Sequence, residues 1–576
     1  MTLLLALTWL LHPAADALPL HDAAGAQRLD LLPTLEVEDA TGRHTLRFTV
    51  DAATGVAHLT APGFTARLTT RQAPGIIEQT LEIKDTSDRV VRSEAVVFRA
   101  ARGPIEVLDR AYRFGPVKGP TLTGPATPAA ARWHGVLLEG GPGVQALAAR
   151  PGRAPTLRLE LDHRDNHPFR VYPRCTEHPE NTLPDRLLDD SPRPAGGART
   201  MRWTWRPDAR LLAVPARFPD ARPAALALTD HADQGSLART AAFAYGRADW
   251  AAGRAAGEGF VGRGLRYTKT VFLARAPGYA PQLDDPAFRA LALALQADGV
   301  EIGVHSPSGR RDLPAAADAL LADFRKDFNG LTWIDHGPAD NCEALTNQGA
   351  DPASPWYMIP TLTRHGFTTA WMIPDQLTGV GGNLLRPERP DLRAPTLVRP
   401  PRLSPLRLFT TAWLFVDKKA LLSRYRPAAL DALAAAHGFS VGHTYLDTLR
   451  SEGPHAGRSL LKTTRDGPRL LPDVERWLDD LAARQRDGRL WVTGIAALAD
   501  HLEAALASTR TYADDAVTLT PPAPLPGLTL LLIPLAGQTI TGAQVDGEAI
   551  PLQTLAGHAA VVLPPKGGRV VPTTRP

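Results

Sequence analysis

The sequence predicts a multidomain protein in which a central (β/α) barrel lies between an N-terminal β-sandwich and a small C-terminal β domain. Three observations predict it. Between residues 18 and 215, short runs alternate apolar and polar positions, as half-buried strands do, with Gly and Pro between them. From 216 to 506, apolar strands alternate with amphipathic helices, the rhythm of a parallel sheet with helical crossovers. From 515 to 576 the helical period is lost and short strands return. At 576 residues the chain is too long for one ordinary domain, and 44% hydrophobic with 22% charged residues supports packed cores rather than disorder.

In the first segment, residues 45–50, 156–161 and 201–205 all show the period-two pattern. The second segment opens with an apolar strand at 224–229. A helix begins at Pro286, presents Phe288, Leu291, Ala292 and Leu295 on one face, and stops at Gly299 before a strand at 300–304. The next helix starts at Pro314, buries Leu320, Leu321, Phe324 and Phe328, and closes at Gly330 before the strand 331–334. Later helices end at His365-Gly366 and His437-Gly438, ahead of strands at 367–373 and 439–441. Val474, Trp477, Leu478 and Leu481 share the face of a last helix, followed by a strand at 490–493. The C-terminal segment follows a Pro-rich linker at 521–526 and carries Asp546-Gly547, a hairpin turn signal.

Charge and targeting narrow the classes further. Lys and Arg number 64 against 60 Asp and Glu, a formal net charge of +4, and only eight of the basic residues are Lys. The bases are scattered among acids, so no nucleic-acid footprint is expected. Residues 3–11 form an apolar run too short to span a bilayer, and Ala15-Asp16-Ala17 follows with a signal-peptidase pattern. Together they predict a signal peptide over 1–17 and export to the periplasm or the exterior, with no transmembrane segment in the mature chain. Cys175 and Cys342 match no zinc or redox spacing, and are either one disulfide or two unrelated thiols.

In a βα barrel the residues just past the strands' C-terminal ends line the face that hosts chemistry. Four histidines fall there. The strand 224–229 leads into Asp230-His231-Ala232-Asp233, 300–304 into His305-Ser306, 331–334 into Asp335-His336-Gly337, and 439–441 through Gly442 into His443. Three imidazoles, with or without a carboxylate, make a catalytic metal site with an open position. A lone loop histidine is usually solvated or hydrogen-bonded structure, and His365 and His437, each before a helix-ending Gly, read that way. Asp233 and Asp335 are candidates for orienting imidazole N–H groups, or plain loop caps.

These residues also resemble a known family, the polysaccharide deacetylases of the NodB-homology, carbohydrate esterase type. Ala227-Leu228-Thr229-Asp230-His231 is similar to that family's first motif, a strand ending in Thr-Phe-Asp-Asp-Gly. Glu301-Ile302-Gly303-Val304-His305-Ser306 resembles its second, and Gly488 to Thr493 with the helix through Leu498 resembles its closing strand and helix. The resemblance spans 220 to 505. It implies a barrel of deacetylase type, with Asp230 as general base, His231 and His305 as metal ligands, and His443 as the proton donor to the leaving group. The family's second motif places another His where this chain has Gly309; His336 is the expected substitute, and Asp233 the alternative first-motif ligand. The family's Arg-x-Pro motif has only Arg399-Pro400-Pro401, late in the chain, as a counterpart in letters.

The expected function is metal-dependent removal of N- or O-linked acetyl groups from a glycan, using one divalent ion, zinc first, with cobalt, nickel and iron also suited to histidine. Trp356, Tyr357 and Trp371 are candidates for stacking on sugar faces, with ordinary packing the alternative. The competing expectation is a glycan-binding protein, without catalysis, on a degenerate barrel.

Overall fold

The computed structural model describes residues 32–575 apart from stretches at 100–103, 124–128, 162–168, 172–185, 189–194, 275–281, 309–311, 337–340, 372–396, 399–402, 414–417 and 448–458 and some single or paired positions, together with strands at 19–21 and 27–30. The expected signal peptide, Cys175, Gly309, Gly337 and Arg399-Pro400-Pro401 lie outside the described residues. The chain forms two compact units, one of residues 1–109, 113–163 and 192–210, the other of 110–112, 164–191 and 211–576.

The first unit is antiparallel. A nine-stranded and a six-stranded sheet share one buried core. The alternation at 201–205 sends Met201, Trp203 and Trp205 inward, where Phe98 from the other sheet meets both indoles edge-on, at 5.8 and 4.9 Å. Both indole N–H groups donate to the buried Gln79 Oε1, each at 2.9 Å, so the large rings are buried without losing their polar partner.

The second unit is organised around a parallel sheet. Its strands are β1 (Ala225–Asp230), β2 (Thr268–Val271), β3 (Glu301–Val304), β4 (Thr332–Ile334), β5 (Thr369–Trp371), β6 (Arg407–Phe409), β7 (Ala412–Trp413), β8 (Phe439–Thr444) and β9 (Trp491–Thr493). The order runs β6-β5-β4-β3-β2-β1-β8-β7, and β9 pairs with the first half of β1. Every residue of β1 and β8 is buried, as expected of strands covered on both faces.

This arrangement corrects the expected central (β/α) barrel. The second edge of β6 is occupied by an antiparallel strand, Leu397–Val398, so its hydrogen-bonding groups are not available to β7, which among the described residues pairs with β8 alone. The parallel sheet therefore stays open between β6 and β7, a half-barrel, and most of the remaining strands belong to antiparallel sheets. The strand–helix alternation also lapses there, since no helix is described between β5 and β7.

The helices follow local signals. α1 (Leu237–Tyr245) starts where Ser236 accepts from Arg239 N and ends at Gly246 with φ 79°. α2 (Pro286–Ala297) is capped by Asp285, which accepts from Ala287 N and Phe288 N, and buries the four residues that its sequence pattern singles out. α3 (Pro314–Asp327) ends before Phe328, not at Gly330; Gly330 is instead demanded by a close approach, since a Cβ there would lie 1.8 Å from Ile302 O. α4 (Ile359–Arg364), α5 (Lys418–Arg424) and α6 (Pro427–Ala435) precede β5 and β8; after α6 the left-handed residue is His437 itself, with φ 47°. α7 (Pro472–Arg486) leads into β9, and α8 (Ile495–Ala507) follows it. At the N-terminal end of the sheet Glu301 accepts from Thr268, Thr332 and the α8 backbone at Ala496 N, tying three strands to a helix start.

α8 also carries a titration test. His501 packs edge-on to Trp491 at 5.5 Å, and burial lowers its pKa from 6.5 to about 4. The unfolded chain therefore binds a proton between those values that the folded chain does not. Stability is full above pH 6.5 and falls as pH drops toward 4. Urea midpoints measured across that window should fall less steeply in His501→Leu; an unchanged slope would refute the assignment.

Two larger antiparallel sheets also belong to this unit. One pairs Leu211–Pro215 with Thr529–Pro534, followed by His558–Val562 and Gln553–Leu555; the other joins Thr509–Ala513, Ala516–Thr520, Gly568–Arg575, Thr539–Val545 and Glu548–Ile550. Asp546 and Gly547 turn between the last two with φ 52° and 92°, the left-handed pair that a two-residue hairpin requires.

Candidate metal centre

The C-terminal ends of β1, β3, β4, β5 and β8 converge on one cluster of buried rings. His231 and Asp233 leave β1, His305 leaves β3, His336 follows β4, Trp371 ends β5 and His443 lies in β8. Ligand atoms of His231, Asp233 and His305 lie within 4.8 Å of one another. His336 joins them through the same carboxylate: Asp233 Oδ2 is 2.9 Å from His305 Nε2, and Asp233 Oδ1 is 2.8 Å from His336 Nε2. The His231 ring stands 4.9 Å from that of His305 and stacks on His443 at 4.0 Å. Trp371 meets His231 and His443 edge-on, and Tyr445 lies 5.3 Å from each of them.

The backbone is shaped to bring these ends together. Ser306, directly after His305, is held at φ 65°, and its hydroxyl accepts from His336 N at 3.2 Å, linking the β3 end to the β4 end. His231 N donates to Thr444 O at 3.0 Å, linking β1 to β8.

The hydrogen bonds fix what the rings present. His305 Nδ1 faces the Ile334 carbonyl at 3.2 Å, and His336 Nδ1 faces Asn341 Oδ1 at 2.6 Å. Each Nδ1 must therefore donate, which turns each Nε2 lone pair toward the Asp233 carboxylate. Lone pair against carboxylate is repulsive unless a proton or a metal cation lies between. Burial opposes the proton, holding His305 below the usual imidazole range and His231 well below it. Burial alone would raise Asp233, but the charge and N–H donation that the facing His305 and His336 rings bring when protonated outweigh it and hold the carboxyl well below its usual range; a metal cation in that proton's place would do the same. His231 Nε2 is buried with no hydrogen-bond partner among the described residues. Neutral imidazoles, an ionised carboxylate and an orphaned ring nitrogen are the donor set a divalent cation takes.

Asp230 stands apart from this set. Its Oδ2 accepts from Lys269 Nζ at 2.9 Å and its Oδ1 from Leu446 N at 2.6 Å. Lys269 also donates to Asp447 Oδ2 at 2.9 Å, which accepts from Thr240 Oγ1 as well, and all four side chains are fully buried. Burial, with the Asp447 charge next, pushes the Asp230 carboxyl up to about 7. Asp335 Oδ1 accepts from Trp333 Nε1 and Leu345 N, at 2.8 and 2.9 Å, and so fastens the loop after β4. Trp371 Nε1 donates to Thr411 Oγ1.

Sequence reading named the histidines at the strand ends but missed Asn341, Glu343, Lys269 and Asp447. A lysine in a strand leading into the apolar run Val271-Phe272-Leu273 is a visible signal. An Asn five residues past a strand is not.

No protein-family model matches the chain, and no curated protein matches it. Among solved structures it overlaps with a polysaccharide lyase at 12% identity over 35% of this chain and 30% of that one, TM-score 0.19. It overlaps with a GH31 α-xylosidase from a soil metagenome, complexed with xylose, at 9% identity over 91% and 98%, TM-score 0.26. A family 39 glycoside hydrolase from the gut symbiont Bacteroides cellulosilyticus WH2 gives 12% identity over 76% and 94%, TM-score 0.20. The chain thus spans about a third of the lyase's length. All three are carbohydrate-active enzymes and none is a deacetylase; overlaps this loose establish no common fold.

Proposed function

We propose that the protein is a metal-dependent hydrolase that removes acetyl groups from a glycan, with His231, Asp233, His305 and His336 holding one divalent ion, zinc first. The observation that carries the reading is the shared Asp233 carboxylate, faced by two imidazole Nε2 atoms whose Nδ1 atoms are already committed. The resemblance of residues 220 to 505 to deacetylase motifs supports the acetyl substrate. A bound divalent ion supplies Lewis acidity toward a carbonyl oxygen and toward water.

The chain's own residues supply the rest. His443, stacked on His231, is the proton donor to the departing amine or alkoxide. Trp371 and Tyr445 wall the rings in apolar surface, which strengthens electrostatic contacts inside the site. Asp230, the base that the resemblance implies, is fully buried, with one carboxylate oxygen held by Lys269 Nζ and the other by Leu446 N. That commitment favours a second reading, in which the site binds acetylated glycan without cleaving it.

Acetate release from N- and O-acetylated oligosaccharides decides between them. The zinc- or cobalt-loaded chain should release acetate, and a chelator should stop it. His443→Ala should lower kcat by roughly 100-fold or more while glycan binding persists. A metal-loaded chain that binds these glycans and frees no acetate would overturn the hydrolase reading.

We also propose export. Cys342 is disulfide-bonded, which suits an oxidising compartment and supports the signal-peptide reading of residues 1–17. No described helix is long and apolar enough to cross a membrane.

A further inference from the structure

His336 is the ligand farthest from any sequence motif, and a buried amide decides what it offers. Its Nδ1 donates to Asn341 Oδ1 at 2.6 Å. Asn341 Nδ2 donates in turn to Glu343 Oε1, and Glu343 Oε2 accepts from Asp312 N at 3.2 Å. Asn341 and Glu343 are fully buried. Because the Asn341 amide nitrogen is aimed at a carboxyl group, its oxygen must face the imidazole. The loop that carries both residues is itself fastened: Asn347 Nδ2 donates to Asn341 O, Gln348 N to Cys342 O and Leu345 N to Asp335 Oδ1.

Without that oxygen, His336 has a competing arrangement. The imidazole can carry its proton on Nε2 and donate it to Asp233 Oδ1, 2.8 Å away. That tautomer satisfies the His336–Asp233 pair by itself and removes the Nε2 lone pair from the centre. The two tautomers of one buried ring therefore correspond to a ligand and a non-ligand.

We propose that Asn341, oriented by Glu343, is the positioning residue that sets the His336 tautomer and makes it a metal ligand. The inference rests on the metal reading above. It assigns to Asn341 the part that an outer-shell acceptor plays behind a ligating histidine, where loss costs roughly 10- to 100-fold in metal affinity.

Cobalt titration of the metal-stripped full chain tests it, by affinity and by the visible Co(II) spectrum. Asn341→Leu, which removes the acceptor at similar volume, should weaken cobalt by roughly 10- to 100-fold and alter the spectrum as a nitrogen ligand is lost. Asn341→Asp, which keeps an oxygen facing His336, should stay within about threefold of wild type and retain its spectrum. Should Asn341→Leu fail to fold by circular dichroism, Glu343→Gln takes its place, expected to weaken cobalt by about three- to tenfold through a loosened amide. Unchanged affinity in Asn341→Leu, or equal losses in the Leu and Asp variants, would overturn the tautomer role while leaving the metal reading intact. A wild-type chain that takes up no cobalt or zinc would overturn both.

Discussion

His305→Ala and His336→Ala are each expected to strip the purified chain of a divalent metal that wild type holds at about one ion per chain. Elemental analysis of the three proteins side by side measures it. The size of the effect follows from the geometry. Asp233 is shared between the two rings, with one oxygen to His305 Nε2 and the other to His336 Nε2, so removing either ring frees a carboxylate oxygen as well as deleting a nitrogen donor. The three ligand atoms of His231, Asp233 and His305 already lie within 4.8 Å of one another, so His305 belongs to the most compact part of the centre. Metal lost with His305→Ala but kept with His336→Ala would shrink the centre to three residues. A metal-free wild type that also refuses added zinc and cobalt would end the hydrolase reading.

Lys269→Met is expected to cost the second unit about 3–5 kcal/mol of stability, a cost read from chemical-denaturation midpoints. Lys269 Nζ sits 2.9 Å from a carboxylate oxygen of both Asp230 and Asp447, and none of the three side chains is exposed. Methionine fills similar space but leaves two carboxyl groups buried together with no cation. Removing one member of a buried ionic group is costly for that reason, whereas removing the charges together costs less. Lys269→Met combined with Asp447→Asn should therefore recover part of the loss. A single variant as stable as wild type would show that the carboxyl groups find other partners. Because Asp230 immediately precedes His231, the same variant tests whether this ionic group holds the β1 end in place.

Much of the candidate site was legible in the sequence because it depends on local order. In each of these strands an apolar run leads into polar, chemistry-bearing residues, so Asp230-His231, His305-Ser306, Asp335-His336 and His443 marked the rim without any tertiary information. The structure brings His231, His305, His336 and His443 into one set of neighbouring rings, with Asp233 between two of them. Helix signals were equally local: Asp285-Pro286 opens α2, and Asp546-Gly547 turns a hairpin.

What the sequence by itself determined was which residues could be strands, helices and strand-end ligands, since period and capping act over a few residues. Tertiary structure alone decided the rest. The open sheet depends on Leu397–Val398 occupying the edge of β6, a pairing with no periodic signature. The donor set depends on which ring nitrogen meets Ile334 O or Asn341 Oδ1. Asp230 is tied up by Lys269, 39 positions later, and by Leu446 N, 216 positions later. Hydrogen bonds between strands far apart in the chain, and the proton positions they impose, are set by packing geometry.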